Sequence, residues 1–341
     1  MTELWERFAY YGMRALLILY LIDRTTGGLG WSREQASHLY GWFNGLAYLT
    51  PVAGGWLADR YLGTNRSLIV GSALISAGHL TLALGPPSVL YVALAIIVLG
   101  TGFFKPNVYT MVGQLYRSDD PRRDPGFTLY YMGINLGALF GPLICAWLAA
   151  DPRFGWSYGF GAAGIAMLIG LLFYVTTRGG ALREIGLAGM PEHRSVNGDS
   201  VALSGEERRR VLALGIITIF VVFFWLAFEQ VGSSLNLFAA QRTQRAVHGW
   251  LATVVPRGEL PAAWFQAVNP LFVLLLAPFM ARLWERLADR APDTASKMAI
   301  GLLLLGCAYI IMVVGAAAGD AGALVSPGYL IGFYFVYSLG E

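Results

Sequence analysis

Apolar runs of about twenty residues recur from one end of this chain to the other, and about that length of helix is needed to cross the hydrocarbon of a bilayer. Lipid offers nothing to an unpaired backbone N–H or C=O, so each run is read as a helix that satisfies its own backbone. Ten spans result, at roughly 3–22, 35–57, 65–85, 88–115, 126–149, 156–177, 209–240, 263–287, 296–318 and 328–341. The fold class expected is an all-α polytopic membrane protein, multi-pass in the inner or plasma membrane, with the lipid bilayer as its surroundings. Charged residues make up 13% of the chain, about half the roughly 25% of soluble proteins. That excludes a soluble enzyme, a disordered chain and a nucleic-acid binder, whose basic residues would cluster on a water-facing surface. Cys145 and Cys307 lie in apolar stretches, and His38, His79, His193 and His248 are scattered. Neither a disulfide framework nor a metal site is expected, and no cofactor.

With the N-terminus placed in the cytoplasm, Lys and Arg divide fifteen to six between the cytoplasmic and outer loops. That is the bias of the positive-inside rule, so a cytoplasmic N-terminus is expected. The longest polar stretch, 179–208, is Gly-rich and charged and follows the sixth span. It divides the chain into an N-terminal six-helix bundle (1–178), a cytoplasmic linker (179–208) and a second, partial bundle (209–341). Leu57-Ala58-Asp59-Arg60 after the second span recurs as Leu287-Ala288-Asp289-Arg290 after the eighth. Each is followed eleven residues later by a glycine, Gly71 and Gly301. Parallel half-repeats of this kind are a transporter design.

Of the ionisable residues inside the spans, seven stand out: Glu3, Glu6, Arg7, Arg14, Lys105, Glu229 and Glu341. A charge at membrane depth costs about 2.5–3.5 kcal/mol on insertion scales, so such residues are functional candidates. Snorkelling or stapling of helices is the alternative reading, and it weighs most for Glu3, nearest a span end. Glu3, Arg7, Tyr10 and Arg14 fall within an arc of about 60° on one helix face. Trp225, Glu229, Ser233 and Asn236 form a second stripe, Tyr131 and Asn135 lie one turn apart, and Tyr334, Tyr337 and Glu341 form a third. In the fourth span Gly100 and Gly102 precede Lys105-Pro106, where proline frees a carbonyl and small residues allow close packing. Polar stripes on several helices require a shared wet cavity. Cations Arg14 and Lys105 in the first half and anions Glu229 and Glu341 in the second complement a small zwitterion. Glutamates so placed are also natural proton acceptors for coupling to a gradient.

Glu3-Leu4-Trp5-Glu6-Arg7-Phe8-Ala9-Tyr10-Tyr11-Gly12 resembles the ExxERFxYYG motif of the proton-dependent oligopeptide transporter (POT) family, within the major facilitator superfamily. Gly54 to Gly63 is similar to the superfamily's loop motif after the second helix. Phe104-Lys105-Pro106-Asn107, Phe127 to Gly137, Phe224 to Gln230 with Gly232 to Asn236, Asn269-Pro270 and Gly340-Glu341 extend the resemblance in order along the chain. It implies the major facilitator fold and proton-coupled import of di- and tripeptides by alternating access, with protons and peptide as partners. It further implies a proton-coupling set of Glu3, Glu6, Arg7, Lys105 and Glu229, with Arg14 pairing with Glu229. Tyr11, Arg14, Tyr48, Lys105 and Asn135 would contact peptide from the first half, and Trp225, Glu229, Asn269 and Glu341 from the second. Asp59 and Arg60 would steady a conformational contact outside the substrate site.

The linker is too short for two additional helices, so twelve spans are expected of the complete fold, and this chain is expected to be C-terminally truncated inside the tenth. A major facilitator transporter of another small solute (an amino acid, nitrate or a peptide-like compound) is the alternative within transport. A non-transporting, degenerate membrane protein is the alternative outside it. The intact set of intramembrane charges argues against the latter.

Overall fold

The computed structural model describes residues 1–115, 120–179, 204–319 and 322–341. Most of the 179–208 linker, together with Arg117, Arg183 and Arg194 of the charge count, lies outside the described residues. Six long helices come first: α1 (Thr2–Ile22), α2 (Arg33–Leu57), α3 (Gly63–Leu84), α4 (Leu90–Gln114), α5 (Arg123–Ala150) and α6 (Trp156–Thr177). After them come α7 (Gly205–Phe228), the short α8 (Ser234–Gln241) and α9 (Leu251–Val254), then α10 (Val268–Leu287), α11 (Thr294–Ala318) and α12 (Gly328–Gly340).

Side-chain caps set several of the starts. Ser32 Oγ accepts from Gln35 N while Gln35 Oε1 accepts from Ser32 N, a reciprocal capping box that opens α2. Ser204 and Glu207 repeat it at α7, and Asp293 accepts from Ser296 N at α11. Seven helical stretches among the described residues are long and apolar enough to cross a membrane. One of them, Arg33–Leu84, has 52 residues. At about 1.5 Å per residue it is more than twice as long as one crossing needs, so it holds two. The π-helical turn Ala58–Leu62 and Gly63, at φ 73°, separate α2 from α3, and both helices pack on α4. The seven leave out α1, whose 21 residues carry Glu3, Glu6, Arg7 and Arg14, and α12, which has 13 residues.

The seventh span differs from its expected course. The sequence predicts one helix over 209–240. The α-helix instead begins at Gly205, ends at Phe228, tightens to a 3₁₀ turn over Glu229–Gly232 and resumes only at Ser234. Ser233, at φ −117° and ψ −88°, marks the break. Gly-Ser-Ser is a weak helical sequence because glycine is flexible and serine competes for backbone partners. Ser233 and Asn236 therefore do not continue the Trp225–Glu229 stripe in register. The Leu-Ala-Asp-Arg repeat also takes two backbone forms. The first copy lies in the π turn, and the second ends α10 with the 3₁₀ turn Ala288–Arg290. The helix stops where Ala288 takes φ 41° and ψ −119°, and Pro292 then holds Ala291 extended at φ −62°, ψ 136°.

Within the first six helices α1 packs on α5 and α6, α3 on α4 and α6, and α2 on α4. A Cβ on Gly54 of α2 would strike the Gly102 carbonyl of α4, so the two backbones meet there directly. Buried apolar side chains form two clusters. One is drawn from α1–α6 with Ala263, the other from residues 231–337. Between the two parts, Asn236 Nδ2 donates to Ala15 O (2.8 Å), Trp264 Nε1 to Leu143 O (2.9 Å) and Trp147 Nε1 to Val254 O (3.0 Å). In the turn after α1, Asp23 accepts from Thr25, Thr26, Gly28 N and Trp156 Nε1. Burial pushes the Asp23 carboxyl up, but the Thr26, Thr25 and Trp156 hydrogen bonds outweigh it and hold the group well below the usual carboxylate range.

Candidate functional site

The charges of α1 are buried, and they are paired. Arg7 Nε lies 3.0 Å from Glu3 Oε1 one helical turn away and contacts Glu6 Oε2 as well. Glu3, Glu6 and Arg7 are 4%, 1% and 7% exposed, so this is a buried ion cluster with two acids and one base. Arg7 also lies against the faces of Tyr10 and Tyr11, at 5.3 and 5.9 Å from the ring centroids. Glu3 Oε2 and the Tyr130 hydroxyl are both buried and lie close to one another.

Two turns further along α1 a second cluster joins three chain segments. Arg14 Nη2 lies 2.6 Å from Glu229 Oε2, in the 3₁₀ turn after α7, and Arg14 Nε donates to Tyr40 OH of α2 at 2.7 Å. Glu229 takes two more donors from α2: Asn44 Nδ2 on Oε2 (2.6 Å) and Tyr48 OH on Oε1 (2.9 Å). Tyr10 OH in turn donates to Asn44 Oδ1 at 2.7 Å. A carboxylate accepting three hydrogen bonds, one of them from a guanidinium, is well matched in its ionised form. Gly232 makes the approach feasible, since a Cβ there would collide with Tyr40 OH and Arg14 Nε. Lys105 stands between the two clusters. Its Nζ lies 4.0 Å from the Tyr48 ring centroid, and among the described residues it makes no ion pair within 4 Å.

A third group lies at the end of α12. Asn269 Nδ2 donates to Glu341 Oε2 (2.8 Å) and to Ser338 Oγ (3.0 Å). Tyr337 stacks on Phe228, centroids 4.7 Å apart. Tyr334, expected on the same polar stripe, is instead 1% exposed within the second apolar core.

The polar stripes do not share a single cavity: among the described residues they line two separate ones. One of about 70 Å³ is lined by Tyr11, Arg14, Asn135, Asn269, Tyr337 and Glu341, among others. The other, about 750 Å³, lies between α2 and α7 and is lined by Tyr40, Asn44, Tyr48, Trp225, Glu229 and neighbours. The Arg14–Glu229 pair has one member in each, so the ion pair forms part of the partition. Asp59 and Arg60 lie apart from both, exposed in the π turn, with the Arg60 guanidinium 5.6 Å from the Trp56 and Tyr61 ring centroids.

A helical membrane protein with these clusters has close relatives. The family model described as the POT family matches residues 65–195 and 189–338. The uncharacterised transporter YclF of Bacillus subtilis is 36% identical over 393 residues, covering 100% of this chain and 77% of the relative. The di-/tripeptide transporter of Lactococcus lactis subsp. cremoris is 33% identical over 401 residues, with 100% and 79% covered. This chain belongs to the POT family. A crystal structure of a peptide transporter, POT, in complex with sulfate superposes with a TM-score of 0.82 at 34% identity, covering 100% of this chain and 78% of that one. The fold is therefore the POT form of the major facilitator fold, about ten helices of it, and the chain is a membrane transporter, not an enzyme.

Within this POT-family chain several polar groups of the site fall on residues the sequence does not single out: Tyr40, Asn44, Gln266 and Ser338. Tyr40, Asn44 and Tyr48 sit at i, i+4 and i+8 on α2, the same stripe signal used for α1 and α7. Gln266 lines the smaller cavity, and its Nε2 is buried with no partner.

Proposed function

We propose that this transporter is a proton-coupled symporter of di- and tripeptides, working by alternating access between bundles 1–178 and 209–341. In this reading it sits in the inner or plasma membrane with its N-terminus in the cytoplasm. The observation that carries it is the pairing of opposite charges on one cavity. Arg14 and Glu341 line the same 70 Å³ space, a cation from the first part and an anion from the second. A short peptide is a zwitterion whose carboxylate and ammonium such walls complement. The volume is far below the roughly 300 Å³ and more of a typical ligand site, so the two parts must separate for a peptide to enter. Protons enter through the buried acids. Glu3 and Glu6 share Arg7, Glu229 holds Arg14, and Lys105 stands between them as the exchanging cation. Protonation of Glu229 removes the charge that holds Arg14 and so loosens the contact between the parts. Tyr11, Tyr48 and Asn135, with Trp225 and Asn269, contact the peptide, while Asp59 and Arg60 act at a distance on the conformational cycle.

Support comes from the relatives, one of which is named for di- and tripeptide transport. The test is uptake of a labelled dipeptide by proteoliposomes holding the full-length polypeptide that carries this sequence, with and without an inward-acid pH gradient. Dipeptide accumulation is expected only with the gradient, and competition from unlabelled di- and tripeptides but not from nitrate or free amino acids. Gradient-driven nitrate or amino-acid uptake without dipeptide uptake would contradict it.

A further inference from the structure

Asn44 holds a position in the second cluster that no charge argument predicts. It comes from α2, is 7% exposed, and touches α1 through Tyr10 and the chain after α7 through Glu229. An amide has a donor end and an acceptor end of nearly the same shape. Here Nδ2 donates to Glu229 Oε2, and Oδ1 accepts from the Tyr10 hydroxyl. That arrangement suits an ionised Glu229. A protonated Glu229 would instead present an O–H and need an acceptor. The other group on Oε2 is Arg14, which can only donate.

We propose that Asn44 is a positioning residue that follows the protonation state of Glu229. When Glu229 is ionised, the amide donates to it. When Glu229 is protonated, the amide turns over, Oδ1 accepts from the carboxylic O–H, and Nδ2 donates to the Tyr10 oxygen. Tyr10 completes both arrangements because its hydroxyl donates in the first and accepts in the second. In each state the amide keeps both of its hydrogen bonds, and proton binding at Glu229 is passed to α1 as a reversal of the Tyr10 hydroxyl. The titratable groups around Glu229 are Tyr10, Tyr11 and Arg14 of α1, Tyr40 and Tyr48 of α2, Lys105 of α4 and Tyr337 of α12, the arginine and the lysine being the cationic groups among them. Asn44 carries no charge among them, so its effect on the titration is through hydrogen bonding alone.

The inference rests on Glu229 being a proton-coupling group, and its test reads that carboxyl directly. Infrared difference spectroscopy of the purified full-length protein follows, against pH, the carboxyl band that disappears in Glu229→Gln. Asn44→Leu removes both ends of the amide at similar size. Losing a donor to the ion matters more than losing an acceptor for the acid, because hydrogen bonds to charged groups are the stronger ones. The midpoint of the band should therefore move to higher pH by about one unit, a tenfold change in proton affinity. Asn44→Ser, whose hydroxyl can donate or accept, should move it in the same direction by less. If Asn44→Leu does not fold, the Asn44→Ser shift carries the test. An unmoved midpoint in a folded variant, or a move to lower pH, overturns the proposal. A wild-type protein whose band titrates as described but which takes up no peptide counts against the proposed function instead.

Discussion

Removing both members of the Arg14–Glu229 pair should weaken the protein by less than the two single removals added together. Arg14 is 4% exposed and makes two polar contacts, to Glu229 Oε2 and Tyr40 OH, while the Glu229 side chain is 17% exposed beside the larger cavity. Arg14→Met leaves a carboxylate with only Asn44 and Tyr48 as donors. Breaking a buried pair by deleting one partner typically costs about 3–5 kcal/mol. Water in the larger cavity can solvate part of Glu229, so the expected loss is about 3 kcal/mol, at the lower end of that range. Glu229→Gln strands the guanidinium, yet an amide oxygen at the Oε2 position still accepts from Arg14 and Asn44, so its loss should be smaller, about 1–2 kcal/mol. Paired with Gln, Arg14→Met strands no charge, so the double variant should fall short of the sum of the singles by at least about 1 kcal/mol. Thermal unfolding of the four purified proteins in one detergent reads this cycle. Additive effects would refute the claim that the two residues act as a buried pair.

Four further perturbations follow. Gly232→Ala places a Cβ against Tyr40 OH and Arg14 Nε. It should reduce transport severalfold while Gly249→Ala, where nothing lies within 4 Å but φ is 68°, loses only a little stability; equal transport losses would refute the contact argument. Trp147→Phe and Trp264→Phe each remove one indole donor to a carbonyl of the other part, and each should weaken that closed contact by about 0.5–1.5 kcal/mol, read as increased reactivity of a cysteine introduced at Ala263. Tyr48→Phe keeps the aromatic face under Lys105 but loses the hydrogen bond to Glu229, so it should alter the pH profile of uptake more than Lys105-dependent coupling; loss of coupling equal to that of Lys105→Ala would contradict this. Asp23→Asn tests a group whose folded-state pKa is depressed. Its stabilisation is present above about pH 4 and disappears as pH falls through the lower folded-state value, so the Tm gap from wild type should be widest near neutrality and close on acidification; a gap that widens in acid would contradict the assignment.

Much of this architecture is legible in the sequence because membrane burial imposes a coarse rule. Length and apolarity locate the spans to within a few residues except the seventh, which breaks after Phe228, and the helical spacing of Glu3, Arg7, Tyr10 and Arg14 puts them on one face of a helix that is buried nearly all round. What sequence leaves open is settled by packing between distant segments. The break at Glu229–Gly232 is hard to see because one glycine and two serines weaken a helix without stopping it, and only the close approach of Tyr40 and Arg14 requires the glycine there. Asn44 is hard to see because it is neutral, lies among aromatic residues, and gains its meaning from a partner 185 positions away. Lys105 shows the opposite problem. Its depth marks it as important, but its neighbour in this conformation, the face of Tyr48, depends on how α2 and α4 meet.

The central claim is that proton movement and peptide movement are one event. It is tested most directly by trapping a pH-sensitive dye inside proteoliposomes of the full-length protein, clamping the membrane potential, and adding an unlabelled dipeptide outside. Prompt acidification of the lumen is expected on dipeptide addition, abolished by Lys105→Ala although gradient-free dipeptide exchange persists. Dipeptide entry with no acidification in the wild-type protein, or unchanged acidification in Lys105→Ala, would contradict it.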